Sequence, residues 1–163
     1  MVQNKDNFKE ALAFGQDGER EIAKELIKKG YYVLPLYQFK DEISPKIIGE
    51  KNYTSPDLIC FKNNTTIFVE VKSKTKWVKF NGVFETGCNY KLYQDYRDIA
   101  AKSKIKTYIF FNHVSGEHQG IYYIDVLKNG RYWDGKVKDK AVYNAEYFWN
   151  KNDLILLFAA ISL

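Results

Sequence analysis

Apolar positions recur every three or four residues at the start of the chain, and they alternate with polar positions in shorter segments further on. The first pattern predicts an amphipathic helix from about Asp6 to Lys29, and Gly30 follows as a residue that commonly ends a helix. Alternating, β-branched segments predict strands, with a turn at Lys62-Asn63-Asn64. In chain order, the predicted elements are a helix at 6–29, strands at 31–36, 57–61 and 66–72, a helix at 89–102, and strands at 105–111 and 120–126.

Three stretches show no clear period and are predicted to be loops or loose segments, at 37–55, 73–88 and 113–119. The C-terminal part contains an aromatic segment, Tyr143–Trp149, which we expect in the core or in a subunit interface. The apolar run Leu154–Ile161 is short enough for a buried terminal helix or strand. This order of elements predicts an α/β fold with a mixed central sheet flanked by helices. Because no repeat or linker divides the chain, we expect residues 1–163 to form a single domain.

One carboxylate lies in the middle of the apolar stripe of the first helix. At ~100° per residue, Phe8, Leu12 and Leu26 fall within ~20° of Glu19, whereas Glu21 falls on the opposite side. A carboxylate on a core-facing stripe is costly to bury without a partner. We therefore expect Glu19 to meet a lysine or a metal site at the edge of the sheet, or to form a structural ion pair.

A second acidic cluster follows from the strands at 57–61 and 66–72. Side chains alternate across a strand, so Glu70 and Lys72 lie on the same face, next to strongly apolar neighbours. Asp57 begins the preceding apolar run and can converge with Glu70 if the two strands form a hairpin. Two close carboxylates repel each other unless a cation lies between them, and hard oxygen ligands suit Mg²⁺ or Mn²⁺. A chance pattern on a solvated strand face remains the alternative interpretation.

The combined pattern resembles a known family. The residues that carry the resemblance are Gly18-Glu19-Arg20-Glu21, Leu26, Gly30-Tyr31, Pro56-Asp57 and Phe68-Val69-Glu70-Val71-Lys72. They resemble the PD-(D/E)XK nuclease superfamily from about Gly15 to Lys74, and the helix is similar to that of archaeal Holliday-junction resolvases. The chain departs from those resolvases by an insertion between Tyr37 and Ser55 and by a longer region after Lys72.

The resemblance implies a restriction-endonuclease-like αβββαβ core and a metal-dependent hydrolysis of DNA phosphodiester bonds. It implies that Asp57 and Glu70 hold one or two Mg²⁺ ions, with Glu19 and the carbonyl of Val71 as further ligands, and Mn²⁺ is expected to substitute. Lys72 would orient or activate the attacking water. The implied products carry a 5′-phosphate and a 3′-hydroxyl.

A basic and aromatic segment follows the catalytic strand and is a candidate for contact with DNA. Lysines interleaved with aromatic residues suit a phosphate backbone with stacked bases, although a solvated lysine face gives the same pattern. Gln94 resembles a glutamine found in the corresponding helix of relatives. The candidate nucleic-acid-binding residues are Lys74, Lys76, Trp77, Lys79 and Gln94. The net charge of +5 and the 13 tyrosines are compatible with such a partner without requiring it.

The remaining features concern metal binding, disulfides, cellular location and oligomeric state. The isolated Cys60 and Cys88 form no metal-binding or disulfide pattern, and His113 and His118 are not needed by the implied mechanism. No apolar run reaches the ~18 residues of a membrane span, and no secretory signal is present, so a cytoplasmic location without membrane contact is expected. The C-terminal run to Leu163 is a candidate homodimer interface. The rival functions are an exonuclease, a non-catalytic nucleic-acid-binding or interaction module, and a protein whose acidic residues are structural.

Overall fold

The computed structural model describes residues 3–36, 46–48, 52–137, 140–141 and 143–159. These residues form two α-helices, α1 (Gln3–Lys28) and α2 (Tyr90–Ser103), and one 3-10 turn at Lys151–Asp153. The strands are β1 (Tyr32–Pro35), β2 (Lys46–Ile48), β3 (Asn52–Thr54), β4 (Leu58–Lys62), β5 (Thr65–Lys74), β6 (Val78–Phe80), β7 (Val83–Asn89), β8 (Lys106–His113), β9 (Gly120–Asp125), β10 (Arg131–Trp133), β11 (Lys136–Val137), β12 (Lys140–Ala141), β13 (Glu146–Asn150) and β14 (Ile155–Ala159).

A six-stranded mixed sheet forms the centre of the fold, in the order β1-β4-β5-β8-β9-β14. Strands β4 and β5 form an antiparallel hairpin around Asn63 and Asn64, which both have positive φ, as the predicted turn requires. Strand β5 pairs with β8 in parallel, and such a pair needs a crossover connection. Helix α2 lies in that crossover, so the predicted order of helix, three strands, helix and strand is found in the sheet.

The segment predicted to be loose after Ser73 is instead largely β-structure. Strands β6 and β7 form a hairpin that joins β13 and β10 in a second, four-stranded sheet. The prediction was wrong because β7 buries polar side chains, which hide the alternation of apolar and polar positions. Glu85 accepts hydrogen bonds from Arg131, and Thr86 contacts His113. The 37–55 prediction was also incomplete, because β2 and β3 pair within it, whereas residues 37–45 and 49–51 lie outside the described residues.

Helix α1 covers one face of the central sheet. Ile22 and Leu26 are buried there against Val69 and Val71 of β5. The helix ends as predicted: Gly30 has a φ of +84°, and the Tyr31 N–H donates to the Leu26 carbonyl at 3.1 Å. A second buried cluster lies between α2, the four-stranded sheet and the opposite face of the central sheet.

The C-terminal apolar run forms the edge strand β14, which pairs with β9. The expectation of a buried element is only partly met. Leu154 is buried, but Ile155, Leu156 and Phe158 are 55%, 50% and 43% exposed. In the part of the chain that the structure describes, no helix combines the length and the apolar composition needed to cross a membrane.

Candidate active site

The hairpin of β4 and β5 brings two carboxylates together at one end of the central sheet. Leu58 pairs with Val69, so Asp57, one residue before β4, lies opposite Glu70 of β5. The Asp57 side chain is fixed there because its Oδ2 accepts a hydrogen bond of 2.7 Å from the Val71 N–H. The convergence expected from the sequence is therefore a consequence of the hairpin register.

Glu70 is almost fully buried, with 3% of its surface exposed. Its Oε1 accepts a hydrogen bond of 2.5 Å from Lys72 Nζ, which extends from the same face of β5. Its Oε2 is buried and has no hydrogen-bond partner among the described residues. A buried carboxylate oxygen without a donor is unfavourable, so this atom is a natural ligand for a cation or a water.

Helix α1 brings Glu19 toward the same cluster. The preceding residue, Gly18, is buried against β5, where a Cβ atom would come within 2.0 Å of Ser73 Oγ. This close approach explains why a glycine stands next to the acidic residue on the helix. Glu19 is partly buried, and burial and the nearby Glu70 carboxylate raise the pKa of its side chain. Among the described residues, Glu19 forms no ion pair, in contrast to one of the expected arrangements.

The electrostatics of the cluster reflect an excess of negative charge. Burial, followed by repulsion from Glu70, raises the pKa of Asp57 from 3.8 to about 8, despite the opposing hydrogen bond from Val71. Burial alone would lower the pKa of the Lys72 ammonium, but the Glu70 and Asp57 carboxylates outweigh that effect and raise it. In the metal-free protein at neutral pH, Asp57 is therefore largely protonated and Lys72 is charged.

The donor set fits a hard divalent cation that keeps part of its water shell. No three His, Cys, Asp or Glu side chains in the described ranges are arranged to hold a metal by themselves. Mg²⁺ is commonly bound through one or two carboxylates, with waters and substrate phosphates as the other ligands. Glu70 Oε2 has an unused lone pair, and ionisation of Asp57 would be favoured by a nearby positive charge. The residues therefore fit such a cation, with Glu19 at the margin of the site.

The sequence did not identify Tyr96 as a residue of this cluster. Tyr96 is 1% exposed on the inner face of α2, and burial and the neighbouring Glu70 and Asp57 carboxylates raise the pKa of its hydroxyl. Its position on the apolar face of the helix predicted a packing residue. The sequence feature that could have indicated its role is the hydroxyl group of Tyr96 on an otherwise apolar helix face.

The predicted DNA-contacting residues occupy different environments. Lys74 lies two residues beyond Lys72 and is partly buried, and burial lowers its pKa. Lys76 and Lys79 are exposed. Gln94 is exposed on α2 and lines a surface cleft of about 300 Å³ together with two basic and two acidic residues, Lys91, Arg97, Asp95 and Asp98.

Trp77 has one ring face covered within the protein. It stacks on the buried His113 with ring centroids 3.8 Å apart, and its Nε1 donates to the His118 carbonyl at 3.1 Å. His113 Nε2 lies 3.1 Å from Thr86 Oγ1, and burial together with the charge of Lys74 lowers the His113 pKa to about 4. Contact of Trp77 with DNA thus stays a prediction that concerns only the remaining surface of the ring.

No protein-family model and no curated protein matches the sequence. The fold is similar to the solved structure of Hjc, a Holliday junction resolvase from the archaeal hyperthermophile Archaeoglobus fulgidus. The TM-score is 0.54 at 14% sequence identity, and the match covers 85% of this chain and 89% of that chain. This similarity confirms the predicted fold class, a restriction-endonuclease-like arrangement with a mixed sheet and flanking helices. At this identity the similarity concerns the fold and leaves activity to be argued from the site.

Proposed function

We propose that this protein is a metal-dependent nuclease that hydrolyses phosphodiester bonds of DNA. The observation that carries the proposal is the cluster at the open end of the β4–β5 hairpin. Asp57 and Glu70 face each other there, Lys72 bonds one Glu70 oxygen, and the other Glu70 oxygen is without a partner among the described residues. The fold similarity to a Holliday junction resolvase supports the same class of chemistry.

Each residue of the cluster has a role in this proposal. Asp57 and Glu70 would hold Mg²⁺, or Mn²⁺ in its place, with the Val71 carbonyl and Glu19 contributing directly or through water. When bound, the cation would polarise the phosphate and lower the pKa of the attacking water. Lys72 remains an ammonium, so its role is to orient water by hydrogen bonding and to neutralise charge that develops on the phosphate. The products would carry a 5′-phosphate and a 3′-hydroxyl.

Surfaces around the cluster are proposed to hold the DNA. Lys74 lies closest to Lys72, and Lys76 and Lys79 continue from it as exposed cations that suit phosphate contacts. Gln94, with Lys91 and Arg97, borders the cleft on α2. Trp77 would contact the DNA through the part of its ring that His113 does not cover.

The test is cleavage of labelled single-stranded, duplex, flapped and four-way-junction DNA in Mg²⁺, Mn²⁺ or EDTA. Asp57→Ala and Asp57→Asn should abolish metal-dependent cutting, whereas the exposed Asp153→Asn should cut like wild type. Glu19→Gln should reduce cutting, with Glu21→Gln, on the exposed side of the same helix, as its matched control. The preferred substrate separates endonuclease from exonuclease action. Absence of cutting by folded wild type on every substrate would contradict the proposal.

The second candidate function is a non-catalytic nucleic-acid-binding module on the same fold. It is favoured by the Lys72–Glu70 ion pair, because a lysine that already neutralises a buried carboxylate lessens the need for a cation. The two candidates differ in their response to metal. A module should bind DNA equally well with Mg²⁺ or EDTA, and its thermal midpoint should not respond to Mg²⁺. An enzyme should be stabilised by the cation.

A homodimer is proposed through the edge strand β14. An edge strand exposes backbone hydrogen-bonding groups, and an antiparallel pair of identical edges satisfies two-fold symmetry. Ile155, Leu156 and Phe158 supply exposed apolar surface along that edge. Light scattering coupled to gel filtration should give the dimer mass for wild type and the monomer mass for Leu156→Lys. A monomeric wild type across the micromolar range would contradict this part of the proposal.

A further inference from the structure

Two neighbouring tyrosines, one exposed and one partly buried, lie where α2 meets the four-stranded sheet. Tyr132 of β10 is 51% exposed, and its ring centroid lies 4.5 Å from that of the partly buried Tyr90, the first residue of α2, with an interplanar angle of 59°. Tyr90 in turn lies 6.3 Å from Tyr147, which stacks on Tyr93 at 3.9 Å with an interplanar angle of 6°. The inner tyrosines are packing residues, whereas Tyr132 presents half of its surface to solvent.

The framework behind this pair is rigid. The Tyr90 N–H donates to the Ala145 carbonyl at 2.9 Å, which ties the start of α2 to the sheet. The Tyr147 hydroxyl accepts a hydrogen bond of 2.7 Å from the Gly130 N–H, which fixes the approach to β10. Aromatic rings held in this way lose little conformational entropy when a flat ligand covers them.

Tyr132 belongs to a row of paired residues that crosses the four-stranded sheet toward the candidate active site. Tyr132 pairs with Tyr147, and Tyr147 pairs with Cys88 of β7. Opposed residues in a sheet point to the same face, so all three project toward α2. Cys88 is buried within electrostatic range of Glu70 and Lys72. Two strand spacings, ~10 Å, separate Tyr132 from Cys88, so Tyr132 lies on the same side of the fold as the candidate active site.

We propose that the exposed ring of Tyr132, supported by Tyr90, is a stacking platform for an unpaired base of the DNA strand that enters the candidate active site. The inference rests on the proposed nuclease function and specifies its substrate as DNA with unpaired bases beside the scissile bond. Stacking on aromatic rings needs a base that is free of its partner strand. The exposed Lys91, next to Tyr90 in the first turn of α2, supplies a cation for the phosphate that accompanies that base, and this turn has no acidic residue.

The experiment uses the inactive Asp57→Asn protein in EDTA, so that binding is measured without cutting. Flapped DNA carries 2-aminopurine at one of the first five unpaired positions. Stacking should quench the fluorescence more strongly at one or two adjacent positions than at the others. Tyr132→Ala should remove that quenching and weaken binding of flapped DNA by about 5- to 150-fold, with less than a twofold change for a blunt duplex. Tyr132→Phe should retain both properties, because the ring and not the hydroxyl makes the contact.

The matched control is Tyr32→Ala. Tyr32 is 72% exposed and stacks on Phe61 at 5.9 Å, at the end of β4 remote from Asp57. This variant should bind flapped DNA like its parent. Equal quenching at all positions, or equal losses for flapped and duplex DNA in Tyr132→Ala, would overturn the platform while leaving the nuclease proposal intact. Failure of the parent protein and of wild type to bind any of these DNAs, in EDTA and in Mg²⁺ alike, would overturn both.

Discussion

Replacement of Asp57 by asparagine should remove the pH dependence of stability that this carboxyl group imposes on the metal-free protein. The pKa of Asp57 rises from 3.8 to about 8 because the group is buried beside Glu70. The folded state therefore holds the Asp57 proton more tightly than the unfolded state does. The resulting destabilisation is absent below pH 3.8, grows as pH rises between the two pKa values, and levels off above the folded value.

The magnitude follows from that window. Each pH unit between the two pKa values changes the unfolding free energy by ~1.4 kcal/mol for a single proton. Between pH 5 and pH 8, wild type should therefore lose roughly 3.5 kcal/mol relative to Asp57→Asn. Asparagine is the appropriate replacement because it is neutral at every pH and its Oδ1 can still accept the hydrogen bond from the Val71 N–H.

The assay is urea unfolding of both proteins at pH 5, 6, 7 and 8 in EDTA, followed by tryptophan fluorescence. The quantity of interest is the difference in unfolding free energy between the two proteins at each pH, because titrating groups outside the cluster contribute equally to both. The Asp153→Asn protein serves as the matched control and should follow wild type. A difference that stays constant within ~0.5 kcal/mol across the range would refute the burial of a protonated carboxyl group at this position.

Three further predictions concern the metal, a buried histidine and a helix contact. At pH 8, Mg²⁺ or Mn²⁺ should raise the thermal midpoint of wild type but not that of Asp57→Asn, and equal shifts would exclude Asp57 as a ligand. His113 should titrate near pH 4 by nitrogen-detected NMR, because burial disfavours its charged form. The stability that the neutral imidazole contributes is then fully present above its ordinary pKa of 6.5 and is lost as pH falls through 4. A titration midpoint near 6.5 would contradict this. Gly18→Ala should stabilise the helix by ~0.5–1 kcal/mol in a Ser73→Ala background, but not in wild type, where the new Cβ would meet Ser73 Oγ at 2.0 Å. A coupling energy near zero in that double-mutant cycle would show that α1 shifts freely over β5.

The central sheet and the cluster of two carboxylates and a lysine could be predicted because the signals are local. Asp57, Glu70 and Lys72 lie in one hairpin, so strand alternation and the turn at Asn63 and Asn64 suffice to bring them together. The position of Glu19 on the core-facing side of α1 could be predicted because successive residues of a helix are rotated by a fixed angle. The helix stop at Gly30 follows from the backbone conformation that glycine alone adopts easily.

The second sheet could not be predicted because its order depends on contacts distant in sequence. Glu85 is buried because Arg131, far along the chain, donates hydrogen bonds to it from Nε and Nη2 of its guanidinium group. Without that partner, a glutamate in an apolar segment indicates a loop. Tyr96 was missed for the converse reason: its neighbours in sequence are those of a core residue, and only the fold places Glu70 beside it. When the partner of a buried polar residue is distant in sequence, the neighbouring residues show no pattern that predicts its burial.

The placement of Asp57, Glu70 and Lys72 within one hairpin also has a consequence for the order of folding. Hairpins form in microseconds, whereas the parallel pairing of β5 with β8 must close the long connection that contains β6, β7 and α2. The chain can therefore bring Asp57 and Glu70 together early, before α1 and α2 shield them from water. In such a hairpin the carboxylates would be solvated and ionised, so we expect a divalent cation in the folding buffer to bind it and to accelerate folding. Refolding in Mg²⁺ should then be faster than in EDTA, a kinetic signature that the finished structure alone does not display.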